Sequence, residues 1–267
     1  MTDDMNSVGT FAFGMPVLPL VQRDRTAKRA FVLGVYASAV HARWIGADGQ
    51  KRIGAVAVAS EPEIFWRGDE NEARTIISDI AIPAAAGHLE PANPQFNGPS
   101  GKALDKMFLE PLRLSRNVTW LCDLVPHSCM NHKQAAALKR EYEPVREQFR
   151  LPPYNWPPRP RELANEQRRT EIARELEESR AEVVITLGDE PLKWFTHYYG
   201  TKSLLSTYGQ TPDEYGRLHP FRLNGRELHL LPLVHPRQAA KLGSHSPGWN
   251  EVHAQWAARP PAEVHFA

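Results

Sequence analysis

The chain has 267 residues, 42% hydrophobic and 24% charged, enough for one large α/β domain or two small ones with a buried core. Lys+Arg 32 against Asp+Glu 31 leaves a formal charge of +1, which argues against a protein held to nucleic acid by bulk positive charge but leaves room for a local basic groove. Two cysteines supply neither a disulfide framework nor the four thiolates of an iron–sulfur cluster. The acidic start MTDD is unlike a signal peptide, and no apolar run approaches the roughly 20 residues of a membrane span. The expectation is a soluble, cytoplasmic protein of a reducing compartment.

Residues 1–29 mix Gly, Pro and scattered apolar residues without a period and read as an irregular arm. The first firm element is AFVLGVY, residues 30–36, a continuous apolar run that fits a strand buried on both faces. Two strands around Ala47-Asp48-Gly49 follow, because Asp-Gly supplies the positive φ that a tight hairpin needs; this hairpin spans 40–60. Residues 98–112 have helical spacing at Leu104, Met107, Phe108 and Leu112, with Ser100 as N-cap. NVTWLCDLV, ending at residue 125, is a second buried strand, and residues 133–149 are helical. The prolines of LPPYNWPPRP, residues 151–160, favour an extended loop. A charged amphipathic helix over 161–180 leads into AEVVITLG, a third buried strand, and then into a short helix ended by Gly200. RELHLLPLVHP supplies a fourth strand, and residues 247–258 a closing helix.

Strand–helix alternation repeated four times predicts an α/β fold with a mostly parallel, four-stranded central sheet and an added β-hairpin. Ligands of such sheets sit beyond the carboxyl ends of the strands. The residues to inspect are therefore Tyr36-Ala37-Ser38, Asp123 through Asn131, Gly188-Asp189-Glu190 and His235-Pro236-Arg237-Gln238, and a shared pocket is the economical reading.

Three other chemistries fit less well. Gly98-Pro99-Ser100-Gly101-Lys102 suggests a phosphate loop, but Phe96 stands where the first Gly of the Walker pattern belongs and Ala103 where Ser or Thr would bind magnesium. Ser38, Asp123 and His235 occur in the chain order of an α/β-hydrolase triad, yet Tyr36 and Val40 stand where the nucleophile elbow requires glycines. Cys122, His127, Cys129 and His132 lie close in sequence but in no zinc spacing, and cysteine in a strand is ordinarily a small buried hydrophobe. No metal and no cofactor is expected.

Taken in order, the same strand ends resemble the uracil-DNA glycosylase superfamily, in particular its iron–sulfur-containing bacterial and archaeal branch. Gly34-Val35-Tyr36-Ala37-Ser38 stands where that branch has a motif like G-E-A-P-G. The run from Pro94 through Phe96, Gly98 and Gly101 to Asp105 resembles P-F-x-G-x-x-G-x-x-L-D with one residue inserted after the proline. Cys122 to His127 resembles a strand ending like T-N-V-V-K-C, Val183 to Gly188 resembles V-V-x-L-G, and His235-Pro236-Arg237 resembles H-P-S. The matches keep their order over about 200 residues. The resemblance implies a three-layer α/β/α sandwich, with 30–267 as a single domain, and a monomeric base-excision DNA-repair enzyme. Such an enzyme flips a base out of DNA and hydrolyses its N-glycosidic bond. It also implies roles: His235 stabilises the leaving base, Phe96 stacks on it and Asp123 stands in for the Asn that reads its edge. Gly34, Val35, Tyr36, Ser38 and Asn97 line the pocket, while Arg237, Gln238 and Lys241 grip the DNA.

The departures are chemical. Val35 and Tyr36 replace the Glu, Asp or Asn that holds water in active branches. The cluster cysteines are absent. An ionised Asp123 only accepts hydrogen bonds, so it suits an amino group such as that of cytosine better than O4 of uracil. Two readings follow: a divergent glycosylase acting on a damaged base, or a catalytically silent protein of the same fold that binds nucleobases or nucleic acid. Residue by residue, simpler roles stay open. His235 can be a capped strand end, Phe96 core, Asp123 an ion-pair partner or loop cap, and Ser38 a turn residue bonding its own backbone.

Overall fold

The computed structural model describes residues 6–242 and 248–264, so the first five residues of the arm and Pro247 of the closing helix lie outside it. Its strands are β1 (Gly9–Thr10), β2 (Pro16–Val17), β3 (Ala30–Tyr36), β4 (Ala39–Ile45), β5 (Lys51–Ser60), β6 (His88–Pro91), β7 (Thr119–Val125), β8 (Val183–Leu187), β9 (His219–Leu223) and β10 (Arg226–Leu233). Its helices are α1 (Glu70–Ser78), α2 (Pro99–Leu104), α3 (His132–Ala137), α4 (Glu143–Arg146), α5 (Glu166–Ser179), α6 (Asp189–Trp194), α7 (Pro236–Ala239) and α8 (Trp249–Ala258). The chain divides into two compact units that interleave in sequence: Met1–Leu20, Tyr36–Pro99 and Pro126–Pro160 in one, Val21–Val35, Ser100–Val125 and Arg161–Ala267 in the other.

The second unit holds a five-stranded sheet in the order β7-β3-β8-β10-β9. The strands β3, β8 and β10 are parallel, with Leu33, Thr186 and Pro232 in register across them. The Arg29 N–H donates to the Val118 carbonyl, which sets the entries of β3 and β7 side by side, so β7 runs the same way. Every residue of β7 and β8 is buried, as their unbroken apolar sequences require. The fifth strand corrects the expected four. Within it, β9 is short, carries Pro220 and alternates exposed with buried residues, which only an antiparallel edge position tolerates. Strand β10 holds a proline too. His229 N–H points toward β8, and so does the Leu233 carbonyl, which accepts from Gly188; alternation then turns Pro232 toward β9. Pairing with β9 stops at Leu230, so the missing N–H of Pro232 removes no ladder bond.

The first unit is built on a three-stranded antiparallel sheet, β5-β4-β6. The expected hairpin joins β4 and β5 through Asp48 and Gly49; Gly49 has φ +77°, and the Asp48 carboxylate accepts the Gln50 N–H at 3.0 Å. The lead-in is more ordered than its composition suggests. Strands β1 and β2 pair, and Phe11, Phe13 and Val17 enter the same core as Trp44, Tyr142 and Trp156. The Tyr142 hydroxyl accepts the Phe13 N–H at 3.2 Å and donates to the Pro152 carbonyl at 2.7 Å, tying the lead-in to the start of the proline-rich segment.

Two helical details differ from expectation. The helix α2 begins at Pro99, so Ser100 lies inside it rather than capping it, and it widens into a π turn over Asp105–Leu109. The helix α1, capped by the Asp69 side chain on the Glu72 N–H at 2.9 Å, occupies a stretch with no assignment from sequence.

Candidate functional site

In the sheet-bearing unit, four of the sequence-selected residues share the carboxyl edge of the five-stranded sheet. Gly34 and Val35 lie near the end of β3, Asp123 lies two residues from the end of β7, and His235 follows β10 as the N-cap of α7. In the other unit, Tyr36 and Ser38 follow β3, and Phe96 and Asn97 close a turn before α2.

His235 is held by a hydrogen bond to its ring and by Gly188 against its Cβ. Its Nδ1 accepts the Arg237 N–H at 3.1 Å, so the proton of the neutral ring resides on Nε2. Burial, helped by the Arg237 charge, pulls its pKa down to about 4, which keeps it uncharged near neutral pH. Gly188 lies behind it at φ +87°, where an added Cβ would come within 3.2 Å of the His235 Cβ. The ring is therefore a single-tautomer donor on a fixed backbone. Arg237 and Lys241 are exposed on the same segment, and the Arg237 Nε reaches the Leu242 carbonyl at 3.3 Å, folding the loop back on itself.

Asp123 is 4% exposed, and its Oδ1 has no hydrogen-bond partner among the described residues. Burial pushes its carboxyl up to about 7, against the pull of Arg168 and with a push from Glu175. Arg168, on α5, braces the strand through main-chain carbonyls, donating to Asp123 O at 2.8 Å and Leu124 O at 3.1 Å. A buried carboxyl oxygen left open is costly unless a ligand or a proton completes it, which distinguishes Asp123 from an ordinary ion-pair residue.

In the other unit Phe96 is 41% exposed and Tyr36 37% exposed, so neither ring is core, and Ser38 is exposed. The Asn97 amide is engaged on both sides by one residue: its Oδ1 accepts the His41 N–H at 2.8 Å and its Nδ2 donates to the His41 carbonyl at 3.0 Å. Gly98 and Gly68 cross back to back. An added Cβ on Gly98 would fall 2.1 Å from the Arg67 carbonyl carbon, and one on Gly68 would fall 2.1 Å from the Asn97 carbonyl oxygen. With φ +66° and +70°, both positions require glycine, and their contact fixes the turn that presents Phe96.

A family model described as the uracil DNA glycosylase superfamily matches residues 67–254, more than half of the chain. The chain belongs to the uracil-DNA glycosylase superfamily. The match contains Phe96, Asp123 and His235, while Gly34 to Ser38 precede it. No curated protein matches the chain. The family's iron–sulfur branch raises the question of a cluster, and the residues do not fit one: Cys122 and Cys129 are both buried, and two thiolates do not fill four positions. Among the described residues, no three His, Cys, Asp or Glu side chains gather as metal ligands. No helix of the described residues is long and apolar enough to cross a membrane.

Sequence reasoning did not single out His41, Tyr215 or His253. His253 is buried and His41, like His235, half-buried, and desolvation likewise pulls the pKa of each down to about 4. An unfolded chain takes up protons on these three histidines near 6.5, so stability is lost as pH falls from 6.5 toward 4. Asp123 works in the opposite sense: with its folded pKa about 7 against 3.8 unfolded, its ionisation weakens the fold as pH rises through that window. Asp123→Asn should therefore gain stability over the parent at pH 8 and lose that advantage by pH 4, with a slope approaching about 1.4 kcal/mol per pH unit between them. Urea unfolding of both proteins across this range measures the difference; a gap independent of pH would contradict the buried-carboxyl account.

Proposed function

We propose that the protein is a divergent DNA glycosylase that hydrolyses the N-glycosidic bond of a damaged base flipped out of DNA. The observation that carries this reading is His235: a neutral imidazole with Nδ1 occupied and Nε2–H free to donate, at the carboxyl edge of the sheet in a chain of this family. As the bond to the sugar breaks, the base leaves as an anion, and a fixed donor aimed at its oxygen stabilises that charge without reorganising. Gly34 and Val35, near the end of β3 in the same unit, belong to the surroundings of the base. Arg237, Gln238 and Lys241 contact the DNA backbone.

Asp123 reads the base edge, and its proton decides what it reads. The neutral acid donates one hydrogen bond and accepts another, as an amide does; the carboxylate only accepts. With its pKa about 7, discrimination should turn over near neutrality. Bases with a carbonyl at the read position are favoured below pH 7, and bases with an amino group above it. Rates on oligonucleotides bearing each kind of base, measured from pH 5.5 to 8.5, should cross, and Asp123→Asn should remove the crossing. Parallel profiles for the two substrates would exclude this role.

Incubation with oligonucleotides carrying uracil, hypoxanthine and other lesions should yield abasic sites that alkali cleaves. His235→Ala should lower that rate by about 10²–10³-fold, the usual effect of removing one donor to a developing oxyanion. Undiminished activity in that variant would remove the mechanism. A specific observation favours the silent binder as second reading: Val35 is buried and apolar where active branches hold water with a polar side chain. Retained affinity for bases or DNA with no cleavage across the lesion panel would select it.

A further inference from the structure

Strand β10 ends in a way the sheet does not explain. Alternation along it turns Val234 to the β9 side, but β9 pairs no further than Leu230, so no strand receives the Val234 N–H. A side chain does: the Tyr215 hydroxyl accepts it at 2.9 Å. Because that oxygen is the acceptor there, its own proton goes to His253 Nδ1, 2.8 Å away, and the His253 Nε2–H then donates to the Met107 carbonyl at 2.9 Å. The directions of all three bonds are thus fixed by the single donor at one end and the carbonyl at the other. Both side chains are buried, Tyr215 at 1% and His253 at 0% exposure, under Trp249, Trp256 and Phe108. Trp256 is itself anchored on the Gly216 carbonyl at 3.1 Å.

Val234 immediately precedes His235. On the opposite edge of the same segment the Gly188 N–H donates to the Leu233 carbonyl at 2.7 Å. The main chain entering His235 is therefore clamped from both sides, by backbone on the β8 side and by a phenol on the other. We propose that Tyr215 and His253 form a buried positioning relay that holds the main chain at His235 so that the Arg237 N–H stays on Nδ1 and the Nε2–H keeps the one orientation from which it reaches a leaving base. Tyr215 takes the place of the absent strand partner, and His253 fixes the direction of its hydroxyl. Neither touches substrate. The role rests on the glycosylase reading for its catalytic consequence, but the effect on His235 itself does not.

Nitrogen NMR of the full chain reads the relay without substrate. The parent should show His235 as a single tautomer, with Nδ1 unprotonated and Nε2 protonated. Tyr215→Phe should pull the two nitrogen shifts together as the tautomers mix, and should lower kcat by about tenfold or more with KM held within about twofold, as small displacements of a catalytic group do. In the His235→Ala background the same change should slow the reaction no further. His253→Asn, which returns an acceptor to the tyrosine proton, should keep the single tautomer, and His253→Leu should lose it, so the idea stands on a second pair of variants if Tyr215→Phe does not fold. Trp249→Phe, which alters packing on the same tyrosine ring without entering the hydrogen-bonded chain, should cost stability and leave His235 unchanged. A Tyr215→Phe protein that is less stable but keeps one His235 tautomer would overturn the proposal. A parent that cleaves no lesion yet shows the tautomer shift would keep the relay and count against the glycosylase reading.

Discussion

One hydrogen bond underlies the site: the Arg237 N–H on Nδ1 of a half-buried His235. Occupying that lone pair decides where the ring's single proton resides, and burial decides that there is only one. Together they convert a capping residue into a neutral donor whose direction the backbone dictates. A charged imidazolium would also donate, but desolvation and the neighbouring Arg237 charge disfavour that form. Gly188 against the His235 Cβ and Tyr215 on the preceding Val234 N–H make the position narrow rather than merely occupied.

Asp123 shows the same logic from the acidic side. The sequence leaves it open whether this carboxyl pairs with an arginine, and the structure gives a particular answer. Arg168 does approach, but it bonds the main-chain carbonyls of Asp123 and Leu124, leaving Oδ1 bare. The cation thus holds the strand while doing little for the carboxyl, and the raised pKa follows from desolvation that the Arg168 charge does not cancel. A side chain so placed is neither a fixed donor nor a permanent anion, and in the proposed function this ambivalence makes base choice sensitive to pH.

Much of the fold could be read from local patterns. The continuous apolar runs AFVLGVY, TWLCDLV and VVITL are strands because only a sheet covered on both faces can bury them, and Asp48-Gly49 is a hairpin because its φ requires it. The fifth strand was legible too, in Asn224-Gly225, whose φ of 50° and 81° closes the β9–β10 hairpin, but the proline in HPFRL hid it. The interleaving of two compact units was not legible, since it depends on which distant segments pack together. The edge positions of Asp123 and His235 followed from strand ends and chain order. The Asn97 clamp on His41, 56 residues away, and the Tyr215–His253 pair, 38 apart, carry no local signature: a buried tyrosine and histidine look like core until their partners are known.

The most direct measurement is the titration of His235 followed by NMR in the intact protein. The account predicts a midpoint near 4, with one tautomer throughout the neutral range. A midpoint near 6.5, that of a fully solvated histidine, would show the ring to be neither desolvated nor fixed, and would contradict the claim on which the rest stands.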